Sequence, residues 1–206
     1  MERMIKPILI PEFNEDLHEY RIEGRKVPSV SEIISGIGLN DFSHVQPDVL
    51  LAKQKIGTAV HHLSHLYDSN NLAKCSEDLM PWLESYKQFR SKFPMSLMIS
   101  EVRLASKKYK FAGRLDRVFI IENRKGILVD LKTGDKNKSH NLQKAGYKIL
   151  VEENYPIKLK ELWTYYIKPG GFSESDIDKK IDISDDYAFL SALNVYNWKY
   201  NNKLIK

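Results

Sequence analysis

The stretch from Lys110 to Gly134, KFAGRLDRVFIIENRKGILVDLKTG, decides the fold. Two apolar runs, KFAGRLDRVFII and KGILVDLKT, flank a polar turn at Asn123, Arg124 and Lys125. Both are rich in β-branched and aromatic residues, which is the signature of strands joined in a hairpin. Just upstream, MISEVRLAS (Met98 to Ser106) reads the same way across a lysine-rich turn, so the three runs predict a β-meander. Downstream, helical periodicity from about Ser139 to Glu153 precedes the strand KELWTYYIK, which stops at Pro169-Gly170-Gly171. A short strand follows near Lys180 to Ile183. A closing helix from Asp185 carries Tyr187, Phe189, Tyr196, Trp198 and Tyr200, expected to pack as a lid over the sheet.

Toward the N-terminus, LHEYRIEGRKV alternates about Gly24 and predicts a hairpin from about Leu17 to Val27. Ser29 or Ser31 caps a short helix, SVSEIISGIG. Helices follow from Asp48 to about Tyr67 and from about Ser76 to Lys92, the second stopped by Pro94. The order helix, three strands, helix, strand predicts an α/β fold, a mixed sheet flanked by helices, with the N-terminal hairpin and helices elaborating one side. No repeat or linker breaks the chain. It reads as one domain over 1–206, with the hairpin and helices in 1–95, the core sheet and its helix in 96–184, and the closing helix in 185–206.

With 206 residues, 42% hydrophobic and 29% charged, the chain can bury a sizeable core. A net charge of +5 is a mild basic excess that favours a polyanionic partner. The lone Cys75 excludes an intrachain disulfide and a four-cysteine iron–sulfur cluster, and fits a reducing cytoplasm. The opening segment MERMIKPILIPEF, interrupted by Pro7 and Pro11, lacks a signal-peptide core, and no window reaches the length of a membrane span. A soluble, intracellular protein with no membrane association is expected.

Chemistry concentrates in the meander. Side chains repeat every second residue along a strand, so Asp130 and Lys132 leave one face about 6–7 Å apart while Leu131 points into the core. Asp116 lies on the preceding strand, where antiparallel pairing brings its carboxylate beside that of Asp130. Two adjacent carboxylates repel unless a cation lies between them, and Mg²⁺ takes such oxygen ligands readily. Relief of that repulsion predicts that Asp116→Asn raises stability without metal. The alternative is a pair of solvated strand-end acids with Lys132 as their ion-pair partner. Against it, both acids sit inside apolar runs where an idle charge is expensive.

Four fragments in order, GTAVH (Gly57 to His61), GRLD (Gly113 to Asp116), DLK (Asp130 to Lys132) and QKAGY (Gln143 to Tyr147), resemble the PD-(D/E)XK nuclease superfamily, specifically its RecB-like exonuclease branch of phage and prophage type. The resemblance covers about Lys53 to Lys168. It implies a restriction-endonuclease-like core and metal-assisted hydrolysis of DNA. Asp116, Asp130 and the Leu131 carbonyl would hold Mg²⁺ or Mn²⁺, as one ion or two. His61 would ligate a second, manganese-type ion, and Glu101 is a further candidate for the metal shell, with a surface ion pair to Arg103 or a lysine as the alternative. Lys132 would position the attacking water, with Gln143 and Tyr147 facing the site from one side of a helix. Relatives with a four-cysteine cluster differ from this chain, which looks like the compact, cluster-free type that degrades DNA ends.

Around the site, Arg114, Arg117, Lys107, Lys108, Lys110, Lys136, Lys138 and Lys144 predict a phosphate-binding surface. Trp163 to Tyr166 read as core aromatics. DNA is the expected partner, alongside a phage recombination or single-strand-binding protein. A catalytically inert binding module on the same fold and a metal-dependent endonuclease are the alternatives, and fold alone does not choose among them.

Overall fold

The computed structural model describes residues 6–40, 45–72, 74–122 and 124–205; the first five residues of the opening segment and Asn123 of the expected turn lie outside them. Strands β2 (Glu19–Ile22) and β3 (Arg25–Val27) form the N-terminal hairpin. Its turn residues Glu23 and Gly24 both adopt positive φ, 51° and 75°, the conformation that matches a two-residue loop to strand twist. A strand not anticipated from sequence, β1 (Glu12–Asn14), pairs with β2 to make a three-stranded sheet. Three residues are too few to show a period. Ser29 then caps α1 (Val30–Gly36) in a reciprocal capping box with Glu32.

Helix α2 spans Pro47–Asp68 and α3 spans Met80–Lys92. The latter starts at Met80 rather than Ser76 because Pro81, lacking an N–H, belongs in a first turn. The meander forms as β4 (Ser96–Ser106), β5 (Phe111–Glu122) and β6 (Lys125–Lys132). Helix α4 (Ser139–Asn154) crosses over to β7 (Lys158–Tyr166), which pairs parallel to β6, and β8 (Ile177–Lys179) closes an antiparallel edge. The five-stranded mixed sheet runs in sequence order.

The last strand lies earlier than the expected Lys180 to Ile183. Asp182 caps the Ser184 N–H and draws Ile183 into α5 (Ile183–Asn201). Helices α2 and α3 cover one sheet face, where Val60, Tyr86 and Phe89 meet Val129, Leu131, Trp163 and Tyr165. Helices α1, α4 and α5 cover the other, where Val30, Leu150 and Phe189 meet Leu115, Val118 and Leu128. The N-terminal helices therefore divide between both faces instead of elaborating one side, because α1 carries its own apolar stripe of Val30, Ile33 and Ile34. Each such side chain contributes about 1.5–3 kcal/mol on burial.

The closing helix reaches the sheet through Phe189, whose ring lies 5.1 Å from that of Phe111, and otherwise lies on helices. It packs on α4 and α1 through Phe189, Ala192, Leu193 and Tyr196. Tyr187, Trp198 and Tyr200 face solvent, since a helix can bury only one stripe against two neighbouring helices. Among the described residues no helix is long and apolar enough to cross a membrane.

Candidate metal and active site

The β5–β6 ladder ends at Arg117 opposite Val129, which leaves Asp116 and Asp130 as the first residues beyond it. Neither is a solvated strand-end acid: Asp116 is 7% exposed and Asp130 1%. Asp116 Oδ2 accepts the Leu131 N–H at 2.7 Å. Asp130 Oδ2 lies 2.6 Å from Lys132 Nζ, the same-face pairing that strand period predicts. Burial pushes the Asp130 carboxyl up, aided by the Asp116 charge and opposed by Lys132. Asp116 goes the other way: burial would raise it, but His61, Lys132 and Arg117 hold it well below the carboxylate range. Relief from neutralisation is thus expected at Asp130, where the sequence alone pointed to Asp116→Asn.

Glu101 sits in β4 between Ser100 and Val102, which pair with Arg117 and Leu115. Its φ is 55°, a left-handed conformation in the middle of a strand. For a residue with a Cβ this costs about 1–3 kcal/mol, and such strain collects at functional positions. The twist breaks the alternation and places the carboxylate among charged groups. Arg117 Nη1 donates to Oε1 at 2.8 Å, and Arg114 Nε lies 2.9 Å from Oε2. The anticipated partner Arg103 instead reaches Glu15.

His61 Nδ1 lies 3.1 Å from Asp116 Oδ1 and 3.7 Å from Glu101 Oε1. One ligand atom from each of His61, Glu101 and Asp116 falls within 4.8 Å of the others. One imidazole nitrogen and two carboxylate oxygens at that spacing could hold a divalent ion of the Mg²⁺ or Mn²⁺ class. Asp130 stands outside the trio, turned to Lys132. Leu131 meets it through its N–H to Asp116. Burial opposes a charge on the His61 imidazole, but the Asp116 and Glu101 carboxylates prevail and push its pKa up to about 10. The imidazolium thus supplies cationic charge between the two acids.

The GTAVH segment is positioned by packing. Gly57, one turn before His61, lets α2 approach the end of β6: a Cβ there would lie 3.2 Å from Thr133 Oγ1. One turn later His65 Nδ1 lies 2.7 Å from Ser100 Oγ, beside Glu101, while His62 is exposed. Two turns after His61, Asp68 anchors Arg117 Nε at 3.0 Å and Arg90 Nε at 3.2 Å, with the Tyr86 hydroxyl. Sequence reading missed Asp68 and Tyr86, although the spacing of seven residues puts Asp68 on the His61 face.

On α4, Gln143 Nε2 donates to the Tyr147 hydroxyl at 3.0 Å. Burial, then the Asp130 and Asp116 charges, raise the Tyr147 pKa, and its ring packs against Gly113, three residues before Asp116 on β5. His140, not singled out from sequence, lies three residues before Gln143 and 3.0 Å from the Tyr166 hydroxyl. Burial, then Lys132 and Lys144, push its pKa down to about 4.

Two of the expected phosphate contacts are not on the surface. Arg117 is fully buried in its ion pairs. Lys144 is 1% exposed, directed to the Leu162 and Asp178 carbonyls, because its helical position faces β7 and not solvent. Arg114 keeps half its side chain exposed while bound to Glu101. Lys136 and Lys138 are exposed, Lys136 reaching the Ser175 carbonyl and the Tyr166 ring. Lys107, Lys108 and Lys110 are exposed at the far end of the β4–β5 hairpin, about 20 Å from Asp116 at strand rise.

No known family model and no curated protein sequence matches the chain. Among solved structures, a crystal structure from Eubacterium rectale named "Putative exonuclease" is similar over 73% of this chain and 69% of its own, with 12% identity and a TM-score of 0.43.

Proposed function

We propose that this chain is a metal-dependent deoxyribonuclease that hydrolyses phosphodiester bonds from DNA ends. The observation that carries the proposal is Glu101, held in a strained conformation where its carboxylate joins the Asp116 carboxylate and the His61 imidazole as a ligand set. Strain of this kind persists only where the surroundings impose it. The trio lies beside the Asp130–Lys132 pair, and four of these five residues, His61, Asp116, Asp130 and Lys132, belong to the segments that resemble the RecB-like motifs.

A divalent ion bound by His61, Glu101 and Asp116 would supply Lewis acidity toward a phosphate oxygen and toward water. Lys132, held by Asp130 Oδ2, presents its ammonium where the attacking water and the developing phosphate charge need orientation and stabilisation. Arg114, half exposed beside Glu101, binds an adjacent phosphate. Tyr147 and Gln143 form a hydrogen-bonded pair on α4, with the Tyr147 ring against Gly113 of β5.

The test uses end-labelled linear DNA and covalently closed circles with Mg²⁺, Mn²⁺ or chelator. The expected result is loss of label from linear DNA with either metal, none in chelator, and intact circles. Nicking of circles would move the activity to an endonuclease. DNA binding without hydrolysis under any condition would make the chain an inert binding module.

A further inference from the structure

We infer that the cavity between the N-terminal sheet and the main sheet is a nucleobase subsite, which takes an unstacked base from a single-stranded DNA end. This rests on the nuclease reading above and names the part of the substrate next to the reacting phosphate. The cavity measures about 340 Å³ and is lined by Phe13, His18, Tyr20, Arg103, Arg114 and Tyr147 among others. That is the small end of the range for ligand pockets, about 300–1,000 Å³. It suits one nucleoside and not a stacked duplex.

The lining has the chemistry of a stacking platform. Phe13, His18 and Tyr20 form an aromatic group, with centroids 5.1 Å apart for Phe13 and His18 and 4.6 Å for Phe13 and Tyr20. The Arg103 guanidinium lies 4.2 Å over the Phe13 ring. Its Nε is buried with no hydrogen-bond partner among the described residues, a donor left unused beside the cavity. Ring faces and guanidinium planes both stack on any base, and they do so only when the base has left its own stack. His18 is exposed, yet its backbone is set: φ is 50°, and the preceding turn is closed by the Leu17 N–H on Asn14 Oδ1 at 2.9 Å.

Two residues join this cavity to the metal trio. Arg114 lines it and binds Glu101 Oε2 at 2.9 Å. Tyr147 lines it, accepts from Gln143 Nε2, and packs its ring on Gly113, three residues before Asp116 on β5. Gly113 admits the Tyr147 ring, since a Cβ there would lie 2.9 Å from Tyr147 Cε1. A base seated on Phe13 and His18 would thus leave its phosphate near Arg114, two residues along the strand from Asp116.

The experiment places 2-aminopurine at the 5′ or the 3′ terminal position of single-stranded oligonucleotides, and measures fluorescence and affinity in chelator and in Ca²⁺. Binding should quench the probe at one terminus. Phe13→Leu, which keeps apolar bulk but removes the ring, and His18→Ala should each weaken binding about tenfold. An abasic terminal nucleotide should weaken wild-type binding by a similar factor, a comparison that needs no variant to fold, and should add little to Phe13→Leu. Unchanged fluorescence at both termini, or abasic DNA bound as tightly as the parent, would overturn the subsite. If such DNA is still hydrolysed in Mg²⁺, the nuclease reading stands without it. Terminal quenching with no hydrolysis in any metal would leave the subsite and remove the nuclease.

Discussion

Arg117 Nη1 donates to Glu101 Oε1 at 2.8 Å with no part of the arginine side chain exposed. A guanidinium so enclosed cannot reach a phosphate. It bridges Asp68 on α2 to Glu101 on β4 and so fixes the strained strand against the histidine helix. Removing one partner of a buried network leaves uncompensated charge, at a cost of about 3–5 kcal/mol. Arg117→Met should therefore lower Tm by about 6–20 °C in a chain of this size. Thermal unfolding followed by circular dichroism checks it, and a wild-type Tm combined with weaker DNA binding would return Arg117 to the phosphate contacts.

The two aspartates should respond oppositely to neutralisation. The Asp116 carboxyl is held below its usual range by His61 and Lys132 and accepts the Leu131 N–H. Asp116→Asn strands the His61 charge and destabilises the metal-free protein. Burial pushes Asp130 the other way, so Asp130→Asn relieves it and leaves the partly exposed Lys132 free to hydrate. Metal-free Tm should fall for the first variant and hold or rise for the second, by about 2–4 °C per kcal/mol. Hydrolysis should drop at least about 100-fold in both and in Lys132→Ala. Matching Tm shifts in the two Asn variants would refute the asymmetry.

In the proposed nuclease Arg114, half exposed beside Glu101, is the arginine that would touch DNA next to the site. Arg114→Ala should weaken DNA binding and reduce the salt slope by about one. Lys107→Ala and Lys110→Ala lie about 20 Å up the hairpin, so they should matter only for DNA long enough to reach them. Binding isotherms at several salt concentrations with short and long oligonucleotides make the comparison. Equal effects on a short oligonucleotide would mean that the DNA path runs along the hairpin instead of over Arg114.

What the sequence made legible was periodic. Alternation in β5 and β6 placed Asp130 and Lys132 on one face, and the glycine-to-histidine spacing put Gly57 on the sheet side of α2. What it hid was whatever breaks a period or depends on long-range packing. The left-handed Glu101 interrupts its strand, so no pattern shows that its carboxylate meets His61. Arg117 and Lys144 carry surface-type charges into buried positions because Asp68, Glu101 and backbone carbonyls receive them there. Only the fold brings those partners together. Strand β1 and the Phe13–His18 cluster were invisible because three residues between Pro11 and the Asn14 turn leave no repeat to read.

His61 supplies the sharpest pH test. Its folded pKa, about 10, lies above the free imidazole value of 6.5. The stabilisation it gives the metal-free chain is therefore complete below 6.5 and lost as pH rises through about 10. Metal-free Tm should decline over that window in wild type and not in His61→Ala. A divalent ion must displace the same proton, because only neutral imidazole ligates. Apparent Mn²⁺ affinity should then climb about tenfold per pH unit between about pH 7 and 8.5, with close to one proton released per ion in calorimetry run in buffers of different ionisation enthalpy. The neighbouring histidines are the controls. Exposed His62→Ala should be silent, while His65→Ala should lose part of the affinity by freeing Ser100 next to Glu101. If His61→Ala binds Mn²⁺ with wild-type affinity and pH slope, the imidazole is a charge partner of Asp116 alone, and the ion must be held by carboxylates without it.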